Sequence, residues 1–182
     1  MNAVIIDHIN QSIKKLFDNY PGSKYYGLAQ SVLRGTELLP CTVDKYGEGK
    51  YIGIDTTIPI QLYHKQISLT TTIRPSSGYG DDLGDYQNVY NNTMVVYLNR
   101  TKTNLLPDEF YLYVQANFLE TIDIPDFFSV IIRPTSVILN RDVVLSSEYG
   151  PSAPRLGAEH HFFAINYTIE SVFNKNCFEK CP

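Results

Sequence analysis

The chain has 182 residues, 43% of them hydrophobic and 19% charged, and carries a formal net charge of −4. A chain of this length buries enough surface to fold as one domain without staples, and this balance describes a globular protein, not a disordered one. Its 15 Lys and Arg residues are scattered among 19 acids, which excludes a tight grip on duplex DNA, because phosphate affinity needs clustered cations. An acidic protein can still let DNA slide past.

The chain opens on an amphipathic helix. Ile5, Ile9, Ile13, Leu16, Phe17 and Tyr20 form one stripe, with Asp7, Asn10, Gln11, Lys14 and Lys15 opposite, over roughly 16 residues and ~24 Å. Pro21-Gly22 ends it, since proline cannot continue a helix and glycine supplies the turn. Residues 24–37 read equally as strand, loop or short helix. Residues 38–54, "LLPCTVDKYGEGKYIGI", then read as a hairpin turning at Tyr46-Gly47-Glu48-Gly49.

Residues 58–73, "IPIQLYHKQISLTTTI", run without a turn signal, but their alternation changes phase. Ile58, Ile60 and Leu62 share one face; Ile67, Leu69 and Ile73 take the other. A β-bulge produces such a shift. So does a strand that leaves its own core and buries its second half against something else. Residues 75–92, "PSSGYGDDLGDYQNVYNN", follow as a long polar segment carrying Tyr79, Leu83, Tyr86 and Tyr90. Long loops of this kind are functional or disordered, so the segment is either an arm laid on a neighbouring subunit or a surface loop.

"TMVVYLNR" is apolar on both faces and predicts a central strand. "LLPDEFYLYVQANFLE" predicts a helix, with Pro107 in the first turn, Asp108 and Glu109 at the positive end, and Phe110, Val114 and Phe118 on one side. "DFFSVIIRPTSVILN" and "HHFFAINYTIESVF" predict strands, the second with Phe163, Ile165, Tyr167 and Ile169 inward. Between them, "SSEYGPSAPRLGAEHH" reads as a second long loop, and residues 174–182 as a C-terminal tail. The expected fold is α+β: an antiparallel β-sheet flanked by the N-terminal helix and a second central helix, with long inter-strand loops.

Chemistry is hard to place on this pattern. Asp81, Asp82 and Asp85 lack the glycine position and closing glutamate of an EF-hand loop. The same stretch has no Lys-Ser/Thr to cradle phosphate. Cys177 and Cys181 have no further zinc ligands nearby, and with Cys41 they read as reduced thiols. His160 and His161, adjacent on a strand, point to opposite faces and cannot easily share one ion; His8 and His64 stand alone. Glu37, Glu48, Asp55, Glu109, Glu120 and Glu148 are too dispersed for any to be singled out as a catalytic pair. The expectation is a non-enzymatic chain with no cofactor and no metal. The apolar opening Ala3–Ile6 stops at Asp7, short of a signal-peptide core, and no stretch approaches the ~20 apolar residues of a membrane span. A protein made and kept in a cytosol, without a membrane partner, follows.

The order of elements between Val4 and Phe173 resembles the tail-terminator and head-to-tail connector proteins of tailed bacteriophages. The segments that carry the likeness are the N-terminal helix, "LLPCTVDKYGEGKYIGI", "MVVYLNRTKTNLLPDEFYLYVQANFLE", "FFSVIIRPTSVILN" and "HHFFAINYTIESVF". The wealth of Asn, Ile and Tyr is similar in style to proteins of crAss-like phages. The resemblance implies a virion protein: a homo-oligomeric ring in the neck or tail, touching portal, connector or tail proteins, with DNA passing through its channel without sequence-specific binding. It implies no catalytic residues. Tyr79, Leu83, Tyr86, Tyr90, Ile67 and Leu69 become the candidates for the oligomer interface, with strand edges and extended arms as joints. The 75–92 segment and the cysteine-containing tail depart from the compact family pattern. A second reading is a carbohydrate- or protein-binding β-rich module with Tyr79, Tyr86 and Tyr90 as a stacking platform. A third is a hydrolase built on dispersed acids.

Overall fold

The computed structural model describes residues 2–43, 49–74, 85–118 and 129–174. In chain order these form α1 (Asn2–Asp18), β1 (Lys24–Arg34), β2 (Glu37–Val43), β3 (Gly49–Tyr51), β4 (Ile60–Arg74), β5 (Asp85–Asn99), the single turn α2 (Arg100–Thr103), α3 (Pro107–Phe118), β6 (Ser129–Ile138), α4 (Arg141–Tyr149) and β7 (His160–Asn174). All seven strands join one sheet, in the order β3-β2-β1-β4-β5-β7-β6. Every neighbouring pair is antiparallel except β1 beside β4. The fold is therefore α+β, as the sequence implies, with one parallel pair bridged by the β2–β3 hairpin.

Helix α1 lies on one face of the sheet because its apolar stripe has nowhere else to go. Ile5, Ile9, Ile13, Leu16 and Phe17 are all buried; at ~2 kcal/mol for each side chain taken out of water, the stripe supplies about 10 kcal/mol before entropy is charged against it. The chain leaves the helix through Gly22, whose φ of +88° is costly for any residue with a Cβ. Helix α3 shares that face, burying Phe110, Val114 and Phe118, with Phe110 edge-on to Phe163 at 5.7 Å and Phe118 against Tyr167 at 5.2 Å. Strands β5 and β7 sit between β4 and β6 and are apolar on both sides over Met94–Leu98 and Phe162–Ile165. Met94, Val96 and Leu98 face α1 and α3; Val95 and Tyr97 face the other way.

The opposite face is covered by α4, which corrects one expectation. The strand read as ending at Asn140 runs to Ile138, but residues 146–161, read as one long loop, begin inside a helix, Arg141–Tyr149. Asn140 starts it: its side-chain oxygen accepts from the backbone N–H groups of Asp142 and Val143. Val144, Leu145 and Tyr149 then pack on Tyr63, Val95, Tyr97 and Phe162. Nine residues are too few to display a helical period, and the adjacent pair Val143-Val144 imitates a strand. Residues 24–34, ambiguous in sequence, are a strand. The hairpin turn expected at Tyr46–Gly49 lies outside the described residues, apart from Gly49 itself, which pairs with Val43 as the first residue of β3.

Candidate functional site

Strand β4 changes character halfway along. From Ile60 to His64 every side chain is buried; from Gln66 to Ile73 every one is exposed. The change falls on a bulge: Gln66 pairs with Asn92 and Ser68 with Asn91, leaving Ile67 as the extra residue. The bulge re-phases the strand, as expected. Leu69 now opposes Tyr90 and Ile73 opposes Tyr86, and directly opposed residues share a face. Tyr90 belongs to the α1/α3 core, so Leu69 and Ile73 point to that side, beyond the cover of the helices. Ile67 instead lines a groove beside α4 on the other side. The three side chains are 64%, 47% and 66% exposed in chain order. Three large aliphatics left in water on eight consecutive residues, none of them charged, make an interaction surface the leading functional feature of this strand.

The segment expected to be an arm over 75–92 divides differently. Residues 85–92 are regular strand, paired with β4 on one side and β7 on the other. This corrects the loop assignment for that part; residues 75–84, with Tyr79 and Leu83, lie outside the described residues. Tyr86 is half-buried on the strand and Tyr90 is only 4% exposed. Tyr90 is thus a core residue, its hydroxyl accepting from Asn88 Nδ2 at 3.2 Å, and is unavailable both as an interface residue and as part of a stacking platform. The candidates that lie on the surface are Ile67 and Leu69. Ile73 joins Leu69 on its face of the strand, four residues further on.

The two end strands of the sheet are poorly suited to a hydrogen-bonded joint. Among the described residues one edge is β3, only three residues long, and the other is β6. Strand β6 carries Pro134, which has no N–H to donate, and a second bulge between Pro134 and Ser136. Arg133, ion-paired to Glu170, adds charge. These are devices that discourage strand addition at the two ends of the sheet; within it, β1 pairs with β4 only as far as His64, so the outer half of β4 pairs with β5 alone.

The groove beside α4 has a volume of about 280 Å³. Ile67, Ile138 and Val143 give it apolar walls, and Lys65 and Glu148 also line it. Those two charges answer each other, Lys65 Nζ lying 2.9 and 3.1 Å from the Glu148 carboxylate oxygens. Tyr63 donates its hydroxyl to the same carboxylate at 2.8 Å. Burial, and then the Glu148 charge, raises the Tyr63 hydroxyl well above the ordinary tyrosine value. The group is a satisfied polar knot tying β4 to α4.

A second buried knot joins α1 to the sheet. Asn10 donates through Nδ2 to the Tyr26 carbonyl at 3.2 Å, so its Oδ1 accepts from His64 Nε2 at 3.0 Å. The other ring nitrogen, Nδ1, then accepts from the Tyr167 hydroxyl at 2.7 Å. His64 is fully buried, and burial lowers its pKa to about 3. It is a neutral structural imidazole. Its place was legible in sequence, two residues beyond Leu62 on the inward face of β4. His160 and His161 do point to opposite faces: His160 stacks on Tyr97, while the His161 Nε2 is buried with no partner among the described residues.

The dispersed acids stay dispersed. Asp55 pairs with Lys24 at 3.1 Å and accepts from the Thr57 side chain and backbone, which hold it down to about 2. Glu109 accepts from the Leu106 N–H ahead of α3, and Glu37 opens β2. Glu48 and Glu120 lie outside the described residues. Among the described residues no group of three or more His, Cys, Asp or Glu could hold a metal ion, and no helix is long and apolar enough to cross a membrane. Cys41 is a free, buried thiol; Cys177 and Cys181 lie outside the described residues. No family model matches the chain, and no curated protein is similar to it.

Proposed function

We propose that this chain is a structural subunit of an oligomeric ring in the neck or tail of a tailed bacteriophage, joining head and portal to tail around the DNA channel. The observation that carries the reading is the outer half of β4, from Gln66 to Ile73, where Ile67, Leu69 and Ile73 stand in water on a well-paired strand. A protein gains nothing from such a surface alone, and burying aliphatic area at ~25 cal/mol per Å² is the main driving force for association. The α+β order of elements supports the phage context. The net charge of −4 fits a ring through which DNA moves without sticking, because counterion release gives little affinity to an acidic surface. The contacts carry the function, and no bond-making step is assigned to any residue.

Mass photometry and negative-stain electron microscopy of the purified chain test this reading. The expected result is one closed, annular species of uniform mass, alone or after addition of neighbouring virion proteins. A chain that stays monomeric under both conditions contradicts it.

A further inference from the structure

The two exposed apolar features lie on opposite faces of one sheet. Leu69 and Ile73, ~13 Å apart along the strand, form a ridge on the α1/α3 side. The groove walled by Ile67, Ile138 and Val143 opens on the α4 side. Resting on the ring reading above, we infer that the ridge of one copy seats in the groove of the next, so that subunits join head to tail.

Wall chemistry and charge point to a second copy as the occupant. Ile67, Ile138 and Val143 give the groove aliphatic walls, which suit the aliphatic side chains of the ridge. Its inner polar groups are already paired with each other, Lys65 with Glu148, and Thr93 Oγ1 with Asn166 Oδ1 at 2.7 Å. The groove therefore offers an incoming charge no counterion, and a charged guest would be desolvated without compensation. The ridge strand, "QISLTTTI" over 66–73, has no charged residue, which matches this neutrality. Because ridge and groove face opposite ways, one contact leaves a free ridge at one end of the pair and a free groove at the other. That is a heterologous contact, which closes into a ring if the rotation allows and otherwise propagates. A two-fold pair would use one patch on both partners and does not need two different ones.

The test is complementation between two defective variants. The ridge variant is Leu69→Asp with Ile73→Asp; the groove variant is Val143→Asp. All three positions are exposed, and matching circular dichroism melts check that both variants fold. Each alone is expected to be monomeric in mass photometry. Mixed one to one, they are expected to give a species of two chains and no larger one, since one intact ridge meets one intact groove and both outer ends are dead. Assembly of either variant alone like the wild type, or a mixture that stays monomeric while the wild type assembles, overturns the ridge-and-groove pairing and leaves the ring reading standing. A wild-type chain that stays monomeric both alone and with neighbouring virion proteins overturns both.

Discussion

The two halves of strand β4 obey different rules. Between Ile60 and His64 the strand is inside the protein on both faces, with Tyr63 turned toward α4 and His64 toward α1. Beyond the bulge at Ile67 the same strand keeps its pairing with β5, but β1 pairs with it only as far as His64, and the cover is gone as well. The ladder with β5 resumes after the bulge, and burial does not. Pairing with β5 alone therefore does not tell a core from a contact surface. The helices do, because α1, α3 and α4 decide which side chains meet protein and which meet water.

The contrast can be broken by mutation, and the inner half should answer most strongly. Phe163→Ala removes a ring buried against Phe110 and is expected to cost about 3–5 kcal/mol in urea denaturation, while Ile73→Ala on the outer half is expected to change monomer stability by no more than ~0.5 kcal/mol. Glu148→Ala should come next, at about 3 kcal/mol, because it strands the Lys65 ammonium, which is 18% exposed, and the buried Tyr63 hydroxyl. Glu148→Gln keeps an acceptor for Tyr63 and should cost less.

Acid should loosen the inner half through His64. Its folded pKa of about 3 lies below the ordinary 6.5, so between those values the unfolded chain binds the extra proton. Stability is intact above pH 6.5, falls as the pH drops below it and stops falling near pH 3; at pH 5 the expected loss from this group is about 2 kcal/mol. His64→Gln should flatten that part of the pH profile in thermal or urea melts. Burial lowers His161 as well, so a residual slope of the same sign should remain.

A small effect should also come from deleting Ile67. The pairs on either side, Gln66 with Asn92 and Ser68 with Asn91, can close up without changing partners, so the monomer should lose under ~1 kcal/mol. Deleting Val95 in the inner half of β5, by contrast, turns every later side chain of that strand to the wrong face. Comparing soluble yield and melting of the two deletions sharpens the distinction between a bulge that can be removed and a register that cannot.

Much of the inner half was legible in the sequence. Ile5, Ile9 and Ile13 announce α1 by their spacing, Phe110, Val114 and Phe118 announce α3, and the doubly apolar "MVVYL" announces a central strand. The phase change at Ile67 also announced itself. The polar start of β5, "DYQNVYNN", did not, because its strand character comes from β4 and β7 on either side and not from its own alternation. Tyr90 could be placed inward only by stepping back in twos from Met94. Strand β1 was hidden by Gly27, Gln30 and Ser31, and its parallel pairing with β4 is a long-range fact with no local signal. Helix α4 rested on one cap, Asn140.

The central claim is that the outer half of β4 is a contact surface between chains. Amide hydrogen exchange of residues 66–74, followed by mass spectrometry at low and high protein concentration, tests it most directly. The account predicts that these amides slow as concentration rises and that the Leu69→Asp, Ile73→Asp variant abolishes the slowing. Equal exchange at every concentration, in a wild-type chain that nonetheless assembles, would contradict it.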